Sequence, residues 1–415
     1  MTLDLRPLAE HHDRLLCSRL DTLAPMLMTR AGLDAWVLIA REYNEDPVLA
    51  TMLPSEWLGT ARRRTILVFL RQDDRVARLA VGRYAVGDAF PSAWNPEIQP
   101  DQWLRLAEVL FEADPARIGI NSSDTFPLAD GLSASERAAF ETHLPDSLRA
   151  RLVSAEAAAI GWLETRLPEE RSAMREACAQ AHGYLRRALS AEVITPAHTT
   201  TADVEWWLRN TVHRHGYGSW FHPTCSVQRR GATTRSTFSG KPGETAITPG
   251  DLVHIDFGIV AGGYCTDQQQ HAYVLRPGES EAPDGLVSGL AAANRLQDFL
   301  MAEFVAGRTG NAILAAARSR AAQEGVEGLI YTHPIGVHGH AAGPTIGLWD
   351  NQSGVAGQGD YPMWPSTAYS IELQARLGLD QWDGQVVQFM LEEDAWFDGD
   401  TCSFLDGRQT QLWVI

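Results

Sequence analysis

Between Val253 and Leu275 the chain reads VHIDFGIVAGGYCTDQQQHAYVL, two arms joined through Ala261-Gly262-Gly263, the first of them apolar, with an aspartate in each arm. The glycines mark a tight turn, and the arms read as a β-hairpin. Asp256 and Asp267 are eleven residues apart. A turn at Ala261-Gly262 sets them directly opposite one another, whereas a turn at Gly262-Gly263 makes them diagonal neighbours on one face. Like charges meeting in a ladder are destabilising. Three arrangements relieve the conflict: a solvated face, a protonated aspartate, or a cation beside the pair. Val253, Ile255, Phe257 and Ile259 argue against the first, because they read as a strand buried on both faces. A buried, unpaired carboxylate costs roughly several kcal/mol.

Later segments carry further candidate ligands. YTHPIGVHGHAAGP (331–344) contains His333, His338 and His340 among glycines and prolines. YSIEL (369–373) puts Glu372 inside a strand-like run, and VVQFMLEEDAWF (386–397) does the same for Glu392 and Glu393. His222, in WFHPTCS, lies on the segment approaching the hairpin. Each is weak alone, since a lone histidine is usually structural and a strand carboxylate is usually solvated. Together they are strong, because acidic residues interrupt several otherwise buried strands in one half of the chain, and clustered breaches of binary pattern mark functional sites.

The bulk numbers narrow the class. A length of 415 residues allows two domains, and 45% hydrophobic with 21% charged residues is ordinary for a globular protein. The formal charge of −17 argues against non-specific binding to nucleic acid or anionic membrane. No run of ~20 apolar residues offers a membrane span. The opening MTLDLRPLAEHHDRLL lacks the apolar core of a secretory signal. Five scattered cysteines without a C-x-x-C pair fit a reducing compartment, so the cytoplasm is the expected location.

Two domains are expected. Residues 1–165 mix helix and strand signals in the manner of an α/β domain: a helix over 13–30, strands over 33–40 and 117–123, and a hairpin from 63–71 to 76–84 turning at Gln72-Asp73-Asp74. Residues 166–415 read as α+β. They open with a helix after Pro168, followed by a capping box at Thr200-Thr201-Ala202-Asp203, and they carry one long helical stretch over 285–323 between strand groups. Trp349, Tyr361, Trp364 and Tyr369 lie between His340 and Glu372; they read as core residues in preference to the walls of a pocket.

GDLVHIDFG with Asp256, the step to Asp267, HPIG with His333, SIEL with Glu372 and LEED with Glu392 together resemble the pita-bread metallopeptidase family. That family includes methionine aminopeptidase, prolidase, Xaa-Pro aminopeptidase and creatinase. The likeness runs over about 169–415, and the first 165 residues look like the creatinase-N-like domain that precedes the catalytic domain in the longer members. The resemblance implies an α/β N-terminal domain followed by an α+β pita-bread catalytic domain with two divalent metal ions. Asp267 and Glu392 would bridge the ions, Asp256 would chelate one, and His333 with Glu372 would complete the other. One imidazole among four carboxylates favours manganese, with cobalt or zinc as alternatives. Glu372 would also shuttle a proton to the leaving amine, and His340 would contact substrate or the tetrahedral oxyanion; His338 and His222 join them as candidate site residues.

The implied activity is hydrolysis of the bond between an N-terminal residue and proline, as an aminopeptidase or dipeptidase. The alternatives are a creatinase-like C–N hydrolase or a non-peptidase binding protein of the same fold. A small peptide is the expected partner, and a homodimer follows from the habit of the family. Three departures bear on proline specificity: Ser239 and Leu329 stand where Xaa-Pro enzymes carry histidines, and Ala341 replaces a glutamate after the second histidine.

Overall fold

The computed structural model describes residues 5–72, 75–232 and 243–415. The hairpin turn at Asp73-Asp74 and the position of Ser239 lie outside them. The chain divides into two compact units, Met1–Leu163 and Glu164–Ile415.

The first unit is α/β. Its elements run α1 (Leu5–Ala31), β1 (Ala35–Arg41), α2 (Pro47–Ala50), β2 (Arg64–Gln72), β3 (Arg75–Ala80), α3 (Gln102–Ala113), β4 (Ile118–Ile120), α4 (Ala134–His143), α5 (Asp146–Arg149), β5 (Leu152–Ser154) and α6 (Glu156–Glu164). One sheet in the order β3-β2-β1-β4-β5 joins an antiparallel half to a parallel half. Val37, Val68, Leu106 and Phe140 are among the buried residues that pack α3 and α4 on that sheet. A polar plug sits inside this unit. Asp46, fully buried, caps α2 by accepting from the backbone N–H groups of Val48 at 2.8 Å and Leu49 at 2.9 Å. It also accepts from Asn121 Nδ2, whose Oδ1 takes the indole N–H of Trp36 at 2.8 Å. A Cβ on Gly131 would fall 2.1 Å from Asp46 Oδ2, so only glycine lets the carboxylate lie there.

The second unit is α+β. Helices α7 (Pro168–Ala188) and α8 (Thr201–Arg214) come first. Pro168 occupies the first turn of α7, and Glu170 Oε2 accepts from Leu167 N at 2.7 Å. Thr200 and Asp203 form the capping box of α8 read from the sequence. Strands β6 (Thr224–Gln228), β7 (Leu252–Phe257), β8 (Val260–Ala261), β9 (Tyr264–Cys265) and β10 (Gln268–Tyr273) follow, then α9 (Asp284–Met301) and α10 (Gly310–Gln323). The helical stretch over 285–323 is therefore two helices. The chain turns at Gly307, where φ is +81°, and Thr309 Oγ1 accepts from Ala312 N to start α10. The remaining strands are β11 (Glu327–Ile330), β12 (His333–Pro334), β13 (Thr367–Ser370), β14 (Leu373–Leu379), β15 (Gln385–Leu391), β16 (Asp394–Phe397), β17 (Cys402–Phe404) and β18 (Trp413–Val414).

Four sheets carry these strands, in the orders β8-β9, β18-β10-β7-β6, β11-β14-β15 and β12-β13-β16-β17. The chain passes from β13 to β14 and from β15 to β16 with two-residue breaks, so the last two sheets are continuous in chain but separate in pairing. One apolar cluster packs α9 and α10 on β14 and β15, and a second packs α7 and α8 on β7 and β10. Contact is tight: a Cβ on Gly289 of α9 would lie 2.0 Å from the Phe389 ring. Among the described residues no helix is long and apolar enough to cross a membrane.

Two predictions follow from this packing. Gly289→Ala should destabilise the protein by about 1–3 kcal/mol, because the overpacking cost exceeds the gain in helix propensity; urea titration measures it. Burial lifts the Asp46 carboxyl from 3.8 to about 6, against the opposing hydrogen bonds of Leu49, Asn121 and Val48. The unfolded chain therefore ionises first as pH rises, and this group withdraws up to about 3 kcal/mol of stability between pH ~4 and ~6. Asp46→Asn should flatten that part of the profile, and melting both proteins from pH 4 to 7 compares them.

Candidate metal centre

The hairpin turns at Gly262-Gly263, both with positive φ (+60° and +86°), which suits the twist of a two-residue hairpin. Val260 pairs with Cys265 and Ala261 with Tyr264, and β7 pairs with β10 in the same register. Asp256 therefore stands opposite Gln269, and Asp267 is its diagonal neighbour. A Cβ on Gly258 would come within 2.1 Å of Thr266 O and 2.7 Å of Trp220 Nε1, so the glycine after Asp256-Phe257 lets the two arms close beside Asp267.

The register continues beyond the hairpin. Gln269 and Glu392 exchange backbone hydrogen bonds, Gln269 N to Glu392 O at 3.0 Å and Glu392 N to Gln269 O at 3.3 Å. Leu373 pairs with Leu391 and Ser370 with Asp394, so Glu372 and Glu392 lie opposite each other at the break between the sheets. A single transverse row thus runs Asp256, Gln269, Glu392, Glu372, from the sheet of β7 and β10 to the break between the sheets of β14-β15 and β13-β16. Residues paired across strands share a face, and strands are about 4.8 Å apart. This row collects side chains more than a hundred residues apart in sequence.

His333 reaches the same place from β12. Its Nε2 lies 3.4 Å from Glu392 Oε1 and 3.8 Å from Asp267 Oδ2. One ligand atom from each of Asp267, His333 and Glu392 lies within 4.8 Å of the other two, and all three residues are buried. His333 Nδ1 faces Pro334 O at 3.0 Å and donates to it, which leaves Nε2 with its lone pair inward. Ser370 Oγ donates to Glu392 Oε1 at 2.6 Å, and Gln269 Nε2 donates to Glu372 Oε1 and Glu392 Oε2, each at 2.7 Å.

The electrostatics are one-sided. Burial first, and then Glu392, hold Asp256 well above the carboxylate range, although a hydrogen bond with Asp267 opposes the shift. Asp267 and Glu372 are raised by the same two causes, with Asp256 adding to both. Asp256 Oδ1, Asp267 Oδ1 and His333 Nε2 are buried without a hydrogen-bond partner. Several acceptors, raised carboxyl groups and an inward imidazole lone pair make a donor set that fits divalent cations.

The remaining candidates distribute unevenly. The His340 ring packs edge-on to His333 at 4.6 Å between centroids, with Trp220 at 5.3 Å and Tyr331 at 6.1 Å. Although its surface is exposed, desolvation by those rings and repulsion from His333 lower it to about 4, so it is neutral at neutral pH. His338 is half-buried and lowered by burial and then by Arg166. His222 is engaged by α8, at 3.3 Å from both Glu205 Oε2 and Arg209 Nη1 and edge-on to Trp206. Tyr369 is fully buried, as a core reading requires, whereas Trp349 and Tyr361 are half-buried and Trp349 packs on Tyr331 at 6.0 Å. Leu329 lies on β11 opposite Gln374, and Ala341 N donates to Pro334 O at 3.0 Å.

Glu393 turns away from the row. His182 of α7 bridges it to Asp406, at 2.5 Å and 2.8 Å. Burial alone would lower that imidazole, but the two carboxylates raise it to about 9, so it is a cation paired to Glu393. Asp394 accepts from Cys178 at 3.3 Å, from Gln268 at 3.1 Å and from Asp267 N at 3.2 Å. Sequence reading missed Gln269, Ser370 and His182. The signal for the first was present as Gln268-Gln269-Gln270, three amides in an otherwise apolar strand.

Residues 172–390, over half of the chain, match metallopeptidase family M24. An X-Pro aminopeptidase from Thermotoga maritima MSB8 has the same fold with a TM-score of 0.65 and 16% identity, over 94% of this chain and 100% of its own. A dipeptidase PepE from Mycobacterium ulcerans gives 0.64 and 19% over 98% of both chains. An Xaa-Pro dipeptidase from Bacillus anthracis gives 0.61 and 16% over 98% of this chain and 100% of its own. At such identities these likenesses speak for the fold alone. No curated protein sequence matches the chain. With the pita-bread architecture and the buried carboxylate–histidine cluster already in view, the match over 172–390 establishes that the chain belongs to metallopeptidase family M24.

Proposed function

We propose that this metallopeptidase is a two-metal exopeptidase that hydrolyses the bond between an N-terminal residue and proline. The observation that carries the reading is the transverse row of Asp256, Glu392 and Glu372 with Asp267 and His333 beside it, whose buried atoms include acceptors with no partner. Asp256, Asp267, His333, Glu372 and Glu392 would hold two divalent ions. Four carboxylates balance the charge of two such ions, and the oxygen-rich set favours manganese, with cobalt or zinc as substitutes. When bound, a divalent pair supplies electrophilic activation of a carbonyl and acidifies a water molecule.

The chain's own groups do the rest. Gln269 engages only Oε1 of Glu372, so Oε2 is free to accept a proton and return it to the departing proline nitrogen. His340, beside His333 at the exposed edge, carries one ring N–H that can donate to a carbonyl oxygen developing negative charge. Trp220, Tyr331 and Trp349 form an aromatic wall around these histidines, a surface suited to a pyrrolidine ring.

Protein loaded with manganese should cleave Xaa-Pro dipeptides or Xaa-Pro-Yaa tripeptides and spare their alanine counterparts, with activity abolished by Asp267→Ala. The dipeptide-to-tripeptide ratio would assign the dipeptidase or aminopeptidase type. Two bound ions without cleavage of any proline peptide would sink the reading and favour a C–N hydrolase of the same fold. His340→Ala should keep both ions and lose about 10²–10³-fold in kcat, the usual range for removing one donor to an oxyanion. Chelation should lower the melting temperature, because the carboxylates are left to repel one another. Manganese at about a hundred times its Kd should restore roughly 2.7 kcal/mol, as mass action requires.

A further inference from the structure

Gln269 stands between Asp256 and Glu392 in the transverse row, on the strand that separates their strands. Backbone register alone puts it there. Its side chain is buried, and its nitrogen has two N–H groups, one for Glu372 Oε1 and one for Glu392 Oε2, both at 2.7 Å. Its oxygen faces His254 Nε2 at 2.9 Å. His254 lies on the same face of β7 as Asp256, opposite His271, and its Nδ1 is 3.5 Å from Ser226 Oγ.

We infer that Gln269 is a positioning residue that fastens Glu372 and Glu392 in metal-binding orientation, and that His254 sets the direction of its amide. The inference rests on the metal-cage reading above.

The chemistry leaves few alternatives for this position. A carboxylate here would add a like charge to the row, and like charges directly opposite are destabilising. Lysine or arginine would bring a fixed positive charge that competes with the divalent ions for the same oxygens. An apolar side chain would leave Glu372 Oε1 without its donor in a buried place, at the cost of an unmade hydrogen bond. A neutral amide gives two donors from one nitrogen and leaves the negative charge of the cage intact.

Direction matters as much as identity. Turned over, the amide would aim its oxygen at both carboxylates and repel them. With the nitrogen inward, the oxygen needs a donor on its other side. His254 supplies it only as the Nε2–H tautomer, with Ser226 Oγ placed to donate to Nδ1. The chain Ser226, His254, Gln269, Glu372 and Glu392 thus carries orientation from β6 through β7 and β10 to the break between the other two sheets. Glu372 Oε1 and Glu392 Oε2 each accept one hydrogen bond from Gln269, and Glu392 Oε1 accepts one from Ser370, so each of these oxygens keeps a second lone pair for an ion.

The test is a manganese titration by calorimetry of the wild type and of three variants, Gln269→Met, His254→Leu and His254→Gln. Methionine matches glutamine in length without donors. The expected result is a loss of about 10–100-fold in affinity for at least one ion in Gln269→Met, the usual effect of removing a partner of a ligand. His254→Leu should weaken binding in the same direction. His254→Gln should recover it, because a glutamine amide can offer an N–H to Gln269 from near the Nε2 position. A near-ultraviolet circular dichroism spectrum matching the wild type shows that each variant is folded, and a merely structural role would not produce the recovery. Gln269→Met with wild-type affinity for both ions would overturn the positioning role. Equal affinities in His254→Leu and wild type would overturn the part assigned to His254. A wild type that takes up no manganese would overturn the metal-cage reading itself and this inference with it, and the first titration alone reveals that.

Discussion

The catalytic unit depends on one unfavourable arrangement: carboxylates brought face to face in a buried place. Asp256, Asp267 and Glu372 are each held well above the ordinary carboxyl range, first by burial and then by Glu392. Hydrophobic packing cannot relieve that repulsion. It serves to enforce it, since α7 with α8 and α9 with α10 clamp the strands that present these residues. The arrangement calls for compensating positive charge, and the binding energy of a divalent cation there would enter the energy of the fold.

Breaks in the strands make the site possible. Glu372 follows the end of β13 and Glu392 follows the end of β15, where the chain leaves one sheet for another. At such a break the side chain is free of a continuous ladder while the flanking pairs still fix its place. Neighbouring acids are handled separately. Glu393 and Asp394 turn to the α7 side, where His182, Cys178 and the amides of Gln268 and Gln270 receive them. Three acids in succession therefore meet different fates, one beside Asp267 and His333 and two in a hydrogen-bonded network on the α7 side.

Much of this was legible beforehand. The apolar arm around Asp256, the second aspartate eleven residues on, and the acids interrupting YSIEL and LEED are local signals that a reader of one sequence can see. The capping box at Thr200 and the helix start at Pro168 are likewise local, and both appear in the structure. Other features were not legible. The break within 285–323 was marked only by the pair Gly307 and Thr309, a helix stop and an N-cap, which a helical reading of the whole stretch passes over. Gln269 looked like one of three equivalent amides, and only its pairing to both Asp256 and Glu392 distinguishes it. The contacts of His222 with Glu205, Arg209 and Trp206 of α8 were likewise beyond local reading.

The sequence by itself determined which residues must be compensated. Charge type, apolar surroundings and the spacing of the two aspartates are properties of short segments, and burial of a charged group without a partner is costly wherever it occurs. Tertiary structure decided which of those residues meet. The two-glycine turn made Asp256 and Asp267 diagonal and not opposed, and the pairing of Gln269 with Glu392 joined sheets that the sequence offers no means of aligning. Register between distant strands is set by the fit of whole sheets and the helices packed on them. A one-residue slip would turn every side chain in the row to the other face, so that fit, and not any local signal, assembles the site.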